Sequence, residues 1–404
     1  MRREYLIGGV AVLGIIIAGY FFITRNNSST NEVTGDPYQN QNELPSMERN
    51  PSGELGANSP VPQAKTSDAF GVLANNQVLD YFIDTQNAIF LIEPGGHVVK
   101  ITDGTQTVLS STDIQNVMTA AFSFDGKKIL VVFGNPAKPQ VSVFDVTAKT
   151  WAPLSTEMKN PVWSPVDYQV AFFSAKDPTI SVLATLDLRT PKTATARPVL
   201  ALHAQDLEVS WPTKDTLYIF EKPSAFTEGS LSRVNIKTKS ISLVFEQIAG
   251  LMTAWSGDRG IAFFGAAGAN RGGQLNLIDG AGKILNNFEL VTLPTKCAFE
   301  KESRPPAPSA PKNTKPTETE FLVCGFPQSA QSFRLAPQPD AYLQKDFWSS
   351  DYFYKINLQD GTIQNLLPES DFIFDATNLS VFNKNLFFVN RYDKRLYTIA
   401  LPTK

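Results

Sequence analysis

The chain has 404 residues, of which 42% are hydrophobic and 19% charged, and its formal net charge is −3. This balance is typical of a folded chain and does not favour binding to nucleic acid or another polyanion. Only two histidines and two cysteines stand beside 28 phenylalanines. Those counts exclude multi-histidine metal clusters, zinc-finger arrays, iron–sulfur clusters and disulfide-dense scaffolds. No catalytic residue, metal ligand or cofactor is predicted.

Residues 5–23 form an uncharged apolar run. Nineteen helical residues span about 30 Å, the thickness of a bilayer core. Arg2 and Arg3 precede the run, and the excess of positive charge there favours a cytoplasmic amino terminus. We predict that residues 1–25 are a single-pass anchor in the cell membrane. The alternative, a cleaved signal peptide, needs a small-residue cleavage site that the run lacks. Both interpretations place the rest of the chain on the extracytoplasmic side.

Residues 26–68 are rich in Asn, Ser, Gln, Glu and Pro and contain a single aromatic residue, Tyr38. Such a stretch cannot bury enough apolar surface to offset the entropy of ordering it. It is predicted to be a disordered linker with an end-to-end distance of about 35–40 Å. A segment that folds on a partner is the alternative.

Residues 69–404 show short apolar runs, rich in β-branched and aromatic residues, that are separated by turn residues. This pattern predicts strands. An aromatic or leucine residue, a polar turn and a very apolar strand recur at Phe82, Phe122, Trp163, Trp211, Trp255, Phe299 and Leu379. Most intervals are 40–48 residues, and the last is 80 because the sixth unit carries insertions near residues 301–319 and 327–350. A period of this length with four strands predicts an all-β, seven-bladed β-propeller, with six or eight blades as alternatives.

The seventh unit ends at the carboxyl terminus after only three strands. Closed propellers complete the last blade with a strand from the other end of the domain, which removes an open sheet edge. Residues 69–74, AFGVLA, precede the first unit and have no other predicted partner. We predict that they supply the missing outer strand.

The segments AFSFDGKKILVVF and VWSPVDYQVAFF carry a turn of the type aromatic-Ser-Pro-Asp-Gly-Lys. Ser123, Asp125, Gly126 and Lys127 match it in the first segment, and residues 163–165 match its start in the second. The chain here resembles the TolB-like and WD-type bacterial propeller repeats. The resemblance implies a propeller that is often extracytoplasmic and often a binding platform, and it implies no catalytic residue.

The two cysteines, Cys297 and Cys324, fall on the first and second predicted strands of the sixth unit. An antiparallel register brings them within about one residue of each other, so a cross-strand disulfide is feasible. The alternative is two free, buried thiols. A bond would close a loop of 27 residues, which the chain-entropy model values at roughly 3 kcal/mol.

The two insertions, the histidines and the repeat tryptophans are the remaining candidates for a function, and each also has a structural interpretation. The first insertion is proline-rich and is predicted to be a solvated loop, with a polyproline recognition segment as the alternative. Aromatic residues of the second insertion either pack on the blade or bind a partner. His97 and His203 lie in different units, and no Cys or second His stands at ligand spacing. The three repeat tryptophans are interpreted as packing between blades.

These observations predict a non-catalytic, membrane-tethered, extracytoplasmic propeller that binds another protein or a component of the cell envelope. Its partners are the lipid bilayer, through the amino-terminal helix, and that protein or envelope component; nucleic acid is not one of them. The alternatives are an enzyme of the glycosidase or lyase type, with carboxylates at the central channel, and a binder of small ligands.

Overall fold

A computed structural model describes residues 70–110, 112–154, 158–177, 179–265, 272–304, 317–367 and 372–402. The predicted anchor and linker lie outside these residues, so both stay predictions. Within the described ranges, no helix has the length and apolar character that crossing a membrane requires.

The described chain forms seven four-stranded antiparallel sheets, and the predicted seven-bladed propeller is confirmed. Blade 1 contains β2 (Asp80–Ile83), β3 (Ile89–Ile92), β4 (Val98–Thr102) and β5 (Thr105–Ser110). Blade 2 contains β6 (Val117–Phe122), β7 (Lys128–Asn135), β8 (Lys138–Asp145) and β9 (Thr150–Leu154). Blade 3 contains β10 (Lys159–Trp163), β11 (Gln169–Asp177), β12 (Ile180–Asp187) and β13 (Arg197–Leu202). Blade 4 contains β14 (Leu207–Thr213), β15 (Thr216–Glu221), β16 (Glu228–Asn235) and β17 (Ser240–Ala249).

Blade 5 contains β18 (Met252–Ser256), β19 (Arg259–Phe264), β20 (Gln274–Asp279) and β21 (Ile284–Phe288). Blade 6 contains β22 (Cys297–Arg304), β23 (Thr317–Pro327), β24 (Asp351–Asn357) and β25 (Ile363–Asn365). Blade 7 contains β26 (Ala376–Phe382), β27 (Asn385–Asn390), β28 (Leu396–Ala400) and, from the other end of the domain, β1 (Phe70–Val72). Short 3₁₀ turns span Pro191–Thr193 and Pro294–Lys296. Each of the seven repeat positions lies on or at the end of the first strand of its blade.

Burial explains the residue pattern along each blade. The middle strands are covered by neighbouring sheets on both faces, so they read as nearly continuous apolar runs, as in β7, where five successive residues are buried. The fourth strands lie on the outside, and four successive residues of β5 are exposed.

Apolar packing lies between blades rather than in one centre. The described residues form seven buried clusters, and each joins two adjacent blades. The cluster between blades 1 and 7, for example, combines Leu91 with Val389 and Leu396. Sheets packed face to face in this way hold the ring together.

The predicted closure by residues 69–74 is confirmed for β1, which pairs antiparallel with β28. Phe70 lies opposite Ile399, and Val72 lies opposite Tyr397. The ring of Phe70 packs edge-on against Phe374, with centroids 5.5 Å apart. The closing strand therefore adds apolar contacts as well as backbone pairing.

The turn between β6 and β7 shows what the resemblance motif does. Ser123 donates its hydroxyl to Asp125 and accepts the amide of Lys128, while Tyr168 of blade 3 donates to the other oxygen of Asp125 at 2.7 Å. Gly126 has φ +70°, and a Cβ there would lie 2.2 Å from the ring of Phe82. Only glycine suits this position, so the motif is a structural turn that also joins neighbouring blades.

Alternating strand directions give the ring two faces. The upper face, as we define it, carries the loops between second and third strands and the connections between blades; the lower face carries the other loops. The second insertion is an upper loop and the first a lower one. Pairing extends to Arg304 and Thr317, so the first insertion begins later than predicted, and its central residues 305–316 lie outside the described chain.

Replacing Phe70, which is 5% exposed, should weaken the ring closure. For Phe70→Ala we expect a loss of about 3 kcal/mol in the free energy of unfolding, because the change leaves a cavity between blades 6 and 7. Chemical denaturation of the full chain measures this loss. Phe226→Ala, at a side chain that is 70% exposed, is the control and should cost less than about 1 kcal/mol. Equal losses in both variants would contradict the role of β1.

Candidate binding face

The second insertion forms a cap on the upper face, which we define as residues 328–350. It contains two short helices, Ala330–Leu335 and Asp340–Leu343. Ser329 begins the first helix, since its hydroxyl accepts the amide of Ser332. The sequence analysis predicted no helix here, because neither helix is long enough to show an apolar period.

The inner side of the cap packs on several blades. Phe333 is fully buried and its ring lies 6.3 Å, centroid to centroid, from Phe263 of blade 5. Asp340 accepts a hydrogen bond from the amide of Ala225 in blade 4. Gln338 lies so close to Gly250 that a Cβ at that glycine would be 3.1 Å from the Gln338 carbonyl oxygen. The cap thus spans from blade 4 to blade 6.

A buried ion network holds the cap between blades 6 and 7. Lys296, in the turn before β22, is fully buried. Its Nζ lies 2.7 Å from a carboxylate oxygen of Asp351 and 2.6 Å from one of Asp375. It also donates to the hydroxyl of Ser349, a cap residue, at 2.8 Å. One ammonium group therefore joins two blades and the end of the cap.

Arg391 extends this network toward the surface. Its guanidinium pairs with the second oxygen of Asp375 at 2.6 Å and donates to the carbonyl of Tyr342 at 2.9 Å. The same group lies 3.7 Å from the Tyr342 ring centroid and 4.6 Å from that of Trp348. Stacking between two cap aromatics fixes the planar guanidinium and adds cation–π attraction.

Charge balance explains why a lysine is tolerated at full burial. Burial alone lowers the pKa of Lys296, but the carboxylates of Asp351 and Asp375 outweigh that effect and raise the pKa above its ordinary value. The lysine therefore stays protonated. Removing one member would leave the others as uncompensated buried charges, which is costly.

The exposed side of the cap carries three large apolar side chains among polar ones such as Gln331, Arg334 and Lys345. Leu335, Leu343 and Trp348 have 55%, 44% and 40% of their surfaces exposed. Tyr392 of blade 7 stacks on Trp348 with centroids 5.3 Å apart and is itself 49% exposed. Phe226 lies next to Ala225, the blade 4 residue that donates to Asp340. The side chain of Phe226 is 70% exposed. Of the insertion aromatics, Phe333 and Tyr342 are buried against the blades and Trp348 is exposed; binding of a partner stays a prediction.

Cys297 and Cys324 lie directly opposite each other on β22 and β23, and their sulfur atoms are 2.06 Å apart. Cys324 is fully buried in the cluster between blades 5 and 6. The bond closes the hairpin that carries the first insertion. Its formation in the cell stays a prediction.

Asp80, on the first strand of blade 1, joins three blades. One carboxylate oxygen accepts from the Asn378 side chain of blade 7 at 2.8 Å, and the other accepts from the Phe122 amide of blade 2 at 3.3 Å. Burial raises the pKa of Asp80 to about 6, although the hydrogen bond from Asn378 opposes the rise. Asp80 therefore links blade 1 to both of its neighbours in the ring.

The histidines and tryptophans have surface and packing roles. His97 lies 2.8 Å from Asp113 on the upper face, and His203 lies between blades 3 and 4. The described residues contain no group of three or more His, Cys, Asp or Glu that could hold a metal ion.

The repeat tryptophans pack between blades. Trp163 donates its indole N–H to the carbonyl of Ala121 in blade 2, and Trp255 stacks on Tyr218 of blade 4 with ring centroids 3.9 Å apart. Trp211 belongs to the cluster between blades 3 and 4.

The sequence analysis missed Lys296, Asp351, Asp375 and Arg391. A lysine inside the apolar segment LPTKCAF was the available signal. Its carboxylate partners, Asp351 and Asp375, are 55 and 79 residues away in sequence, and only the ring brings them together.

Comparison with protein-family models and with curated proteins finds no match. Similar solved structures are β-propellers. The propeller domain of Cps50 (Swd1) from Myceliophteria thermophila has a TM-score of 0.50 at 10% identity, covering 82% of this chain and 100% of that one. The fold is shared.

Two further structures are less similar. The propeller domain of the Trilobed protease from Pyrococcus furiosus has a TM-score of 0.49 at 12% identity, over 80% of this chain and 95% of that one. TolB from Acinetobacter baumannii has a TM-score of 0.42 at 13% identity, over 75% of this chain. The match spans 63% of the length of that TolB. At these identities the likeness concerns the fold alone.

Removing the central cation should destabilise the capped side of the ring. For Lys296→Met we expect a loss of about 3–5 kcal/mol in the free energy of unfolding, because Asp351 stays buried without a cation and Asp375 keeps only Arg391. The control is Lys237→Met in the exposed pair with Asp215, which should cost less than about 1 kcal/mol. Denaturant titration of both variants measures the difference. A loss at Lys296 no larger than the control would contradict the network's role.

Asp80 should make stability depend on pH. Its folded pKa of about 6 lies above the ordinary value of 3.8, so the folded state holds a proton that the unfolded chain releases between these values. The contribution of Asp80 to the free energy of unfolding is therefore complete below about pH 4, and it is lost as the pH rises through 6. Relative to Asp80→Asn, the wild-type chain should lose stability between pH 4 and 7 in denaturant titrations. A difference that is constant with pH, or that changes in the opposite direction, would contradict this assignment.

Proposed function

We propose that this protein is a non-catalytic, membrane-tethered propeller that binds a protein of the cell envelope on the extracytoplasmic side. The binding surface is the outer side of the cap together with Phe226 and Tyr392. Membrane attachment and location rest on the apolar run of residues 5–23. The opposed cysteines support an oxidising compartment, because disulfides persist outside the cytoplasm.

The two-sided construction of the cap carries this proposal. Its inner side is held by buried aromatic rings and by the ion network, so the outer side is presented on a fixed support. The exposed rings of Trp348 and Tyr392 stack on each other, and the largely buried Arg391 guanidinium supports Trp348 from below at 4.6 Å. Aromatic residues are enriched in protein interfaces, and a surface held in one conformation loses little entropy on binding.

Site-specific photo-crosslinking in cells tests this function. A photoreactive amino acid replaces Leu335 or Trp348 in the full chain, and Leu243 on the outer strand of blade 4 is the matched control, since its exposure of 56% is close to the 55% of Leu335. We expect a discrete crosslinked envelope protein from both cap positions and none from the control. Absence of cap adducts, or the same adduct from position 243, would contradict the binding face.

A further inference from the structure

The chain that precedes the propeller joins it on the lower face. β1 is the outer strand of blade 7 and pairs antiparallel with β28, which runs from the upper face to the lower one. Phe70 lies opposite Ile399, close to the lower end of β28. The residues before Phe70, which carry the predicted linker and anchor, are therefore attached on the side opposite the cap.

The lower turns of blades 2, 3 and 4 expose apolar side chains. Phe124 lies in the turn between β6 and β7, Val166 in the turn between β10 and β11, and Ile241 at the lower end of β17. They are 43%, 47% and 45% exposed. The ring of Phe124 packs beside Tyr168, which shares its turn with Val166, with centroids 5.5 Å apart. Phe124 and Val166 thus belong to one surface across two blades.

The same turns direct their positive charges outward and hold their negative charges back. The acidic residues of the turns and of the adjoining strand ends are all only partly exposed among the described side chains. Asp125, Asp145 and Asp187 each accept a backbone amide of their own turn, which keeps the carboxylates close to the protein. The exposed cations include Lys127, Lys149, Arg189, Lys214, Lys237 and Lys239. We call these six cations, together with Phe124, Val166 and Ile241, the basic rim.

Pairing within the turns leaves these cations available. Lys127 pairs with Asp125, Arg189 with Asp187, and Lys237 with Asp215, each at an exposed position. Exposed pairs of this kind contribute little to stability, so the basic groups can turn to other anions at small cost.

Exposed apolar side chains among lysine and arginine are suited to an anionic lipid surface. The apolar groups enter the boundary between headgroups and acyl chains, while the long basic side chains reach the phosphates. A flexible tether with an end-to-end distance of about 35–40 Å keeps such a surface near the bilayer, at an effective concentration on the order of millimolar. A weak contact is then sufficient to orient the propeller.

We propose that the basic rim lies on the anionic surface of the bilayer that holds the predicted anchor, so that the cap faces away from the membrane. This inference rests on the membrane attachment in the proposed function and adds an orientation to it. Attachment of the chain at the lower end of β1 favours this face over the upper one. The cap is then presented to envelope proteins that approach from the side away from the bilayer.

Fluorescence quenching by brominated lipids tests this orientation. The full chain is reconstituted in vesicles of brominated phosphatidylcholine, with or without phosphatidylglycerol, and flotation establishes that it is membrane-bound. A fluorescent amino acid replaces Val166 on the rim or Leu335 on the cap. In anionic vesicles we expect quenching at position 166 to be at least about twofold stronger than at position 335, because only the rim enters the headgroup region. Omitting phosphatidylglycerol should reduce quenching at position 166.

Matched charge variants separate the rim from general attraction to lipid. Replacing three rim cations (Lys127→Gln, Arg189→Gln and Lys239→Gln) should lower quenching at position 166 to the level at position 335. The control replaces three exposed lysines of the upper face (Lys138→Gln, Lys159→Gln and Lys222→Gln) and should leave the quenching unchanged.

Equal quenching at the two positions would overturn this orientation while the tether stands. Quenching at position 166 that does not depend on phosphatidylglycerol, or that persists in the rim variant, would have the same consequence. A chain that does not float with the vesicles would overturn the tether and the orientation together, so the two failures are distinguishable.

Discussion

The structure depends on the face-to-face stacking of small sheets. In the described part of the chain, each of the seven apolar clusters combines residues of two adjacent blades, so the four-stranded sheets bury their apolar faces against one another. A ring satisfies this requirement only when the last blade meets the first. The pairing of β1 with β28 completes blade 7, and blade 1 meets that blade through an apolar cluster and through the Tyr81 hydroxyl, which donates to the Asn378 carbonyl at 2.7 Å.

The same constraint leaves the loops free to differ. Strands must match their neighbours, whereas an upper loop can grow without disturbing the stacking. The cap is such a loop, and Lys296 and Arg391 bind it to blades 6 and 7. A cleft of about 1020 Å³ lies elsewhere on the same face, at blades 2, 3 and 4. One face thus carries a covered region and an open one.

Much of the fold was predictable because strand pattern and repeat length are local properties. The spacing from Phe82 to Leu379 gave the blade number, and the missing strand after the seventh unit pointed to residues 69–74. The ion network beneath the cap was harder to predict from the sequence. Lys296 stands out only as a lysine inside an apolar segment, and Asp375, which lies 2.6 Å from it in the ring, is 79 residues away in the sequence. Interactions between distant blades carry little sequence signal.

The cap is a fixed part of the upper face, because the blades beneath it hold it through Lys296 and Arg391. Hydrogen–deuterium exchange of the full chain measures this most directly. The amides of Phe333, Ala341 and Phe347 bond within the cap, so they should exchange as slowly as amides in the inner strands of blade 6. Exchange at the rate of an unstructured loop would contradict the account, because a loosely held cap could not present a preformed binding surface.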